Sequence, residues 1–269
     1  MATVAENLTM LEQTKTSLRT AINAKGGSVT IQQPFSSYTE AVSNLPEKNF
    51  VRYLSNSSNF AIDIPPGTTA IRRGFEGLTE LTGLTIPNTV ERLVLNIFAG
   101  TKIRTITLPS SIIYLGGSEF KGCTSLSSAT INCSAISATM FSGCTALKDV
   151  SMTSVGQIAT GAFSYCTNLS SVTIPDSCSN IGENAFYNCS SLKTVTIGTG
   201  CTSIGNRAFY GVYPNTVTLE TMTITAPTPP TLGTDAINTS ITAIYVPADS
   251  VAAYQAAWTA YETKIQAIS

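Results

Sequence analysis

The stretch IPDSCSNIGENAFYNCSSLKTVTI (residues 174–197) decides how the rest of the chain is read. It holds one cysteine, Cys189, three residues after Phe186 and three before Leu192. A thiol in a polar stretch is a nucleophile or a metal ligand in one setting, and a small apolar side chain of a core in another. Register against the neighbouring sequence separates the two. Phe75, Phe98, Phe120, Phe141, Phe163, Phe186 and Phe209 follow one another at 23, 22, 21, 22, 23 and 23 residues. A fixed period of this length is the signature of a stacked-repeat architecture.

Each phenylalanine is followed by a short alternating segment: GLTIP (83–87), TITLP (105–109), SATIN (128–132), DVSMT (149–153), SVTIP (171–175) and TVTIG (194–198). Apolar, polar, apolar spacing with β-branched residues and a closing Pro or Gly predicts a strand. One strand per coil cannot bury its own apolar side, so the coils must stack, with the strands joined into a parallel sheet at about 4.8 Å per coil. The predicted class is an α+β solenoid, with helix confined to the two ends.

Three apolar columns run through the coils. The strand pairs, such as Val172 and Ile174, form the first. Leu93, Leu115, Ile136, Ile158, Ile181 and Ile204, five residues before a phenylalanine, form the second. The phenylalanines form the third, with Leu126, Leu147, Leu169 and Leu192 six residues later. Cys123, Cys144, Cys166 and Cys189 all stand three residues after a phenylalanine, where other coils carry Leu78, Thr101 and Val212. Cys133, Cys178 and Cys201 stand eight before one, where Val90, Ile112 and Val155 occur elsewhere. Interchange with Leu, Ile and Val marks interior positions, so the seven cysteines are expected as two interior ladders. An odd number precludes full pairing within one chain. No C-x-x-C spacing suggests zinc.

The order Ile-Pro, turn, Ile-Gly, Ala-Phe, Cys, Leu, strand resembles the BspA-like leucine-rich repeat. The likeness spans about residues 62–219 and is strongest from Phe120 to Phe209; GFEGLTELTGLTI (74–86) and IFAGTKIRTITL (97–108) lack the cysteine. It implies a solenoid whose motif residues are core residues. It also implies the roles known for that family, bacterial surface adhesins that bind host matrix or cells, and repeats carried by phage proteins. No catalytic position comes with it.

The sequence divides into residues 1–48, a solenoid over 49–221 and a C-terminal capping repeat over 222–269. In the first segment Val4, Leu8, Leu11, Leu18 and Ile22 keep a 4-3 spacing that ends at KGG (25–27), predicting an amphipathic helix. It is expected either to cap the first coil or to attach the protein to other copies or to virion proteins. AINAKGGSV followed by FSSYTEAVSNLP loosely resembles the N-terminal segments of gut-phage structural proteins. At the other end TAPTPPTLG (225–233) is expected to break the ladder. Ile237 then replaces phenylalanine, and IYVP (244–247) forms another strand. Asp249 or Ser250 is expected to cap a helix carrying Val251, Tyr254 and Trp258, which covers the raw end of the sheet.

Composition narrows the function. Charged residues make up 12% of the 269 and the net charge is −1, leaving no basic footprint for nucleic acid or an anionic membrane. There is no histidine, so the usual triads and most zinc sites are missing a member. Asp149, Asp176 and Glu183 fall singly in different coils, as turn residues rather than an acid/base pair. No stretch approaches the roughly 18 apolar residues that span a membrane, and Glu6 ahead of any basic residue is unlike a Sec signal. The expectation is a non-enzymatic protein without cofactor or metal. Its binding face is the strands' outward hydroxyl column of Thr85, Thr107, Thr130, Ser151, Thr173, Thr196 and Thr218, offered to a protein or glycan. Two placements follow: a virion, as a fibre or decoration protein, or a bacterial cell surface, as an adhesin.

Overall fold

The computed structural model describes residues 52–56, 59–64, 66–71, 75–79, 81–211 and 219–268. Within them the coils stack as expected, and each contributes two strands. Longer ones succeed one another along one face: Leu81–Thr85, Thr105–Leu108, Ser128–Ile131, Asp149–Met152, Ser171–Ile174, Thr194–Ile197, Thr221–Ile224 and Ala243–Val246. Two-residue strands, from Ala70–Ile71 to Thr231–Leu232, make the other face. Pairing is parallel in both, with Val172 beside Val195 and Ile158 beside Ile181. In Thr194–Ile197 the pleat buries Val195 and Ile197 and leaves Thr194 and Thr196 exposed.

Between the two faces runs the phenylalanine column. Consecutive rings from Phe75 to Phe209 stack with centroids 5.1 to 5.6 Å apart. The turns that deliver the rings from Phe98 to Phe209 are entered through a left-handed residue two positions earlier, Asn96, Ser118, Thr139, Gly161, Asn184 and Arg207, as is the turn at Ile237 through Asp235, all with φ between 52° and 64°. The isoleucine-glycine turn is set by close approach. A Cβ on Gly205 would lie 2.6 Å from the backbone nitrogen of Glu183 in the coil before. The core is continuous along the rod, and Phe98, Phe120, Phe141 and Phe163 have no exposed surface.

The structure corrects several expectations. Among the described residues it is a β-solenoid whose α-helix is Val251–Ala257, seven residues long; the helix expected near the N-terminus lies outside them. No side chain caps it; the Ser250 hydroxyl donates instead to the Pro227 carbonyl at 2.8 Å. The prolines of TAPTPPTLG do not break the ladder, because Thr231–Leu232 pairs with Ser203–Ile204. Carbonyls in that segment accept from the C-terminal aromatic side chains, Tyr254 to Ala226 at 2.9 Å and Trp258 to Pro230 at 3.0 Å. Ile237 does take the phenylalanine's place, bridged to Phe209. The helix is not the last element: Ile265–Ala267 adds a further parallel strand beside Ala243–Val246. At the other end Arg52–Asn56 folds back antiparallel on Asn59–Asp63, a hairpin the repeat frame did not anticipate.

Thr218 is the expected column member after Thr196. It lies outside the described residues, as do Val4, Leu8, Leu11, Leu18 and Ile22. The register puts Thr223 next to Thr196, so the coil after Phe209 is longer than its predecessors.

Candidate binding face

The outward residues of the longer strands form two columns rather than one. Thr107, Thr130, Ser151, Thr173, Thr196 and Thr223 make the expected column, extended at the N-terminal end by exposed Thr85. Thr105, Ser128, Asp149, Ser171, Thr194 and Thr221 make a second, two residues earlier. The second was legible from the same alternation, since strand residues i and i+2 share a face. Parallel pairing holds neighbouring hydroxyls one strand spacing apart, about 4.8 Å. The face is nearly neutral; Lys193 and Glu220 at its rim pair at 2.8 Å.

The longer-strand sheet is interrupted twice, between Leu81–Thr85 and Thr105–Leu108 and between Asp149–Met152 and Ser171–Ile174. In several paired coils the residue after a strand donates its N–H to the strand end of the coil before, as Asn132 does to Leu108, Thr153 to Ile131 and Gly198 to Ile174. At the two interruptions that residue is Pro109 or Pro175, which has no N–H to give. Two more prolines hold this position without opening the sheet: Leu81–Thr85, ahead of Pro87, still pairs with Asn59–Asp63, and the pairing of Ala243–Val246, ahead of Pro247, with Thr221–Ile224 stops one rung short.

The second interruption opens a cleft of about 220 Å³, bordered by Ser128, Lys148, Asp149, Ser151, Ser171 and Thr173. Val150, in the inward column, is half-buried there, whereas Ile106, Ala129, Val172 and Val195 in the same column are buried. The structure thus brings Ser151 and Thr173 together at a gap in the middle of the face, adds a Lys148/Asp149 pair of opposite charge, and leaves Thr85 and Thr107 at the other interruption. Asp149 is a strand residue at the cleft rather than a turn residue. Asp176 does serve a turn, its Oδ1 accepting the Thr199 N–H at 2.8 Å, and Glu183 is exposed.

The thiols are built into the wall. All seven cysteines are free and buried. Cys123, Cys144, Cys166 and Cys189 each donate to the carbonyl of the phenylalanine one coil back, at 3.1 to 3.2 Å. Burial pushes the Cys189 thiol up to about 12 and Cys201 to about 11, so neither supplies thiolate near neutral pH. Among the described residues no three His, Cys, Asp or Glu side chains converge as a metal site.

Two features escaped the sequence reading. Glu119 is buried in the position held by Ile97, Met140 and Ala162 in other coils. Its carboxylate accepts the Gly117 N–H at 2.7 Å and the Ser137 hydroxyl at 2.5 Å, across the point where the short-strand ladder breaks between Tyr114–Leu115 and Ala135–Ile136. Desolvation raises its pKa from the ordinary value, against the pull of those donors. Tyr165, 47% exposed, adopts φ 61° where Gly77, Gly100, Gly122 and Gly143 stand in earlier coils, and packs edge-on to Tyr187. The signal was present as a tyrosine at a glycine position.

With this geometry in view, comparison with known proteins becomes specific. A family model described as the BspA type leucine-rich repeat region matches residues 52–170 and 156–229, in six copies. The chain belongs to that family. Solved structures agree at the level of fold. A leucine-rich repeat protein from Bacteroides ovatus is 24% identical with a TM-score of 0.57, over 78% of this chain and 54% of its own. A leucine-rich cell surface protein from Faecalibacterium prausnitzii is 24% identical with a TM-score of 0.52, over 74% and 53%. The pneumococcal vaccine antigen PcpA is 17% identical with a TM-score of 0.50, over 75% and 58%. This BspA-type chain therefore spans little more than half the length of each of these neighbours. No curated protein matches the sequence. The BspA-type motif residues, Ile, Ala-Phe, Cys and Leu, are the buried columns described above, and the outward columns consist of residues outside the motif.

Proposed function

We propose that this BspA-type chain is a non-enzymatic binding protein whose longer-strand face, centred on the cleft at Ser151 and Thr173, docks a protein or glycan. The observation that carries the reading is the double column, mostly of hydroxyls, held in register by parallel pairing and opened into a cleft at Ser151 and Thr173. A rigid surface of this kind offers pre-ordered donors and acceptors, which lowers the entropic cost of binding. Buried, hydrogen-bonded thiols and scattered carboxylates support the non-enzymatic part. In this reading the solenoid is the arm of a virion fibre or decoration protein, attached through residues 1–48, whose sequence resembles phage structural segments. A bacterial cell surface is the second placement, favoured by the likeness to the F. prausnitzii protein described as a cell surface protein.

Two measurements test this. Screening the protein against a glycan array and immobilised matrix proteins should give a ligand whose affinity drops at least tenfold in a Thr130→Ala, Thr173→Ala, Thr196→Ala triple variant. Unchanged affinity removes the face from the account. Solution mass with and without residues 1–48 tests attachment: an oligomer that becomes monomeric on truncation supports it. A monomer in both forms, less soluble when truncated, makes the segment a cap.

A further inference from the structure

Apolar exposure on this rod is concentrated rather than scattered. Among the described residues the large exposed apolar side chains are Leu95, Ile113, Tyr114, Tyr165 and Ile268, and the first three, 59, 75 and 44% exposed, lie on two adjoining coils. Ile113 donates its N–H to the Glu91 carbonyl at 2.9 Å, and Tyr114 pairs with Arg92, whose guanidinium sits 4.3 Å from the ring centre. Leu95 lies against Gly117 of the next coil. Ala135 and exposed Ala138 continue the surface by one more coil. Further along, the outward residue of the short strand is Gln157, Asn180, Ser203 and then Thr231. The patch is therefore local to the N-terminal part of the solenoid and sits on the short-strand side, away from the hydroxyl columns.

The same chain holds an apolar stripe in need of cover. Val4, Leu8, Leu11, Leu18 and Ile22 lie among the 51 residues that precede the first described strand, Arg52–Asn56, at this end of the rod. The 29 residues between Ile22 and Arg52 reach up to roughly 100 Å when extended, far more than the width of a coil. Covalent linkage within that reach raises the local concentration of the stripe above that of a free copy, which favours the chain's own patch. Three side chains also fall well short of the roughly 1,000 Å² that a stable interface between separate molecules needs.

We propose that in the free protein the apolar stripe of residues 4–22 docks on the Leu95, Ile113 and Tyr114 patch of its own chain. This is independent of the hydroxyl-face reading. It bears on attachment, since a stripe parked on its own solenoid must be released before it can bundle with other copies. The test is hydrogen exchange on the full chain, with solution mass recorded alongside. Amides of residues 4–22 should be protected at least tenfold at every concentration, and Ile113→Glu should abolish that protection while Thr105–Leu108 and Ser128–Ile131 keep theirs. Leu11→Glu is the reciprocal variant and should have the same effect. Protection that survives Ile113→Glu, that is absent from the unmodified protein, or that disappears on dilution would overturn the proposal; the last would mean that the stripe is buried between copies.

Discussion

The carbonyl of Phe163 explains why Cys189 is a cysteine. That oxygen already accepts the Cys166 N–H within its own turn, at 3.2 Å, and its second lone pair takes the Cys189 thiol at 3.1 Å. A valine would fill the space and leave the lone pair empty; a serine would satisfy it and bring a more strongly hydrated group into the core. Cys189→Ala should therefore lower stability by about 1 kcal/mol, measured by denaturant unfolding, and leave ligand affinity unchanged. In the same register, a thiol reagent at pH 8 should label none of the seven cysteines until the protein unfolds, because burial holds Cys189 and Cys201 at about 12 and about 11. Rapid labelling of the native protein would contradict the buried ladder. Glu119 carries the opposite kind of information. Its folded-state pKa is raised, so the folded chain holds a proton that the unfolded chain has lost, and folding weakens as pH rises from the ordinary value of 4.5 through the raised one. The stability difference between the unmodified protein and Glu119→Gln should slope over that window and be flat above it. A difference independent of pH would mean that the carboxyl does not titrate with folding.

At the scale of the strand, both openings of the sheet fall where an N–H is missing. Pro175 stands where Asn132, Thr153 and Gly198 each donate to the coil before, and the sheet parts at Asp149–Met152 and Ser171–Ile174. Pro175→Ser restores the donor. Amides of Ser171–Ile174 should then exchange more slowly in hydrogen-exchange measurements as the cleft narrows. Unchanged exchange would assign the gap to the packing of Val150 instead. Strand identity, alternation and the proline were all visible in SVTIP. Which neighbouring strand was left unpaired was not, because Leu81–Thr85 stays paired ahead of Pro87 and Pro247 interrupts its own pairing by only one rung. The short-strand break is similar: nothing in YLGGSEF (114–120) announces that the Glu119 carboxylate links two coils where backbone pairing stops.

For the whole molecule, the two ends determine whether a stack of coils persists, since each coil is supported only by its neighbours. At the C-terminal end Tyr254, Trp258 and Tyr261 close the core edge-to-face and bond to the carbonyls of Ala226, Pro230 and Ile237. Trp258→Ala should cost about 3 kcal/mol, concentrated near its site: exchange should quicken at Thr221–Ile224 and Ala243–Val246 and stay unchanged at Thr105–Leu108. Uniform destabilisation would indicate that the rod unfolds as one unit. The sequence by itself determined the period, the parallel stacking, the buried columns of Phe, Leu, Ile and Cys, and the outward threonines, because a strand period of two and a coil period near 22 are local constraints repeated many times. Only the tertiary structure decided the strand register after Phe209, the cleft, the carboxylate at the broken rung, the final strand and the hairpin that opens the described rod. Each of those depends on which backbone group a coil finds on its neighbour, and that is a property of the stack rather than of any one repeat.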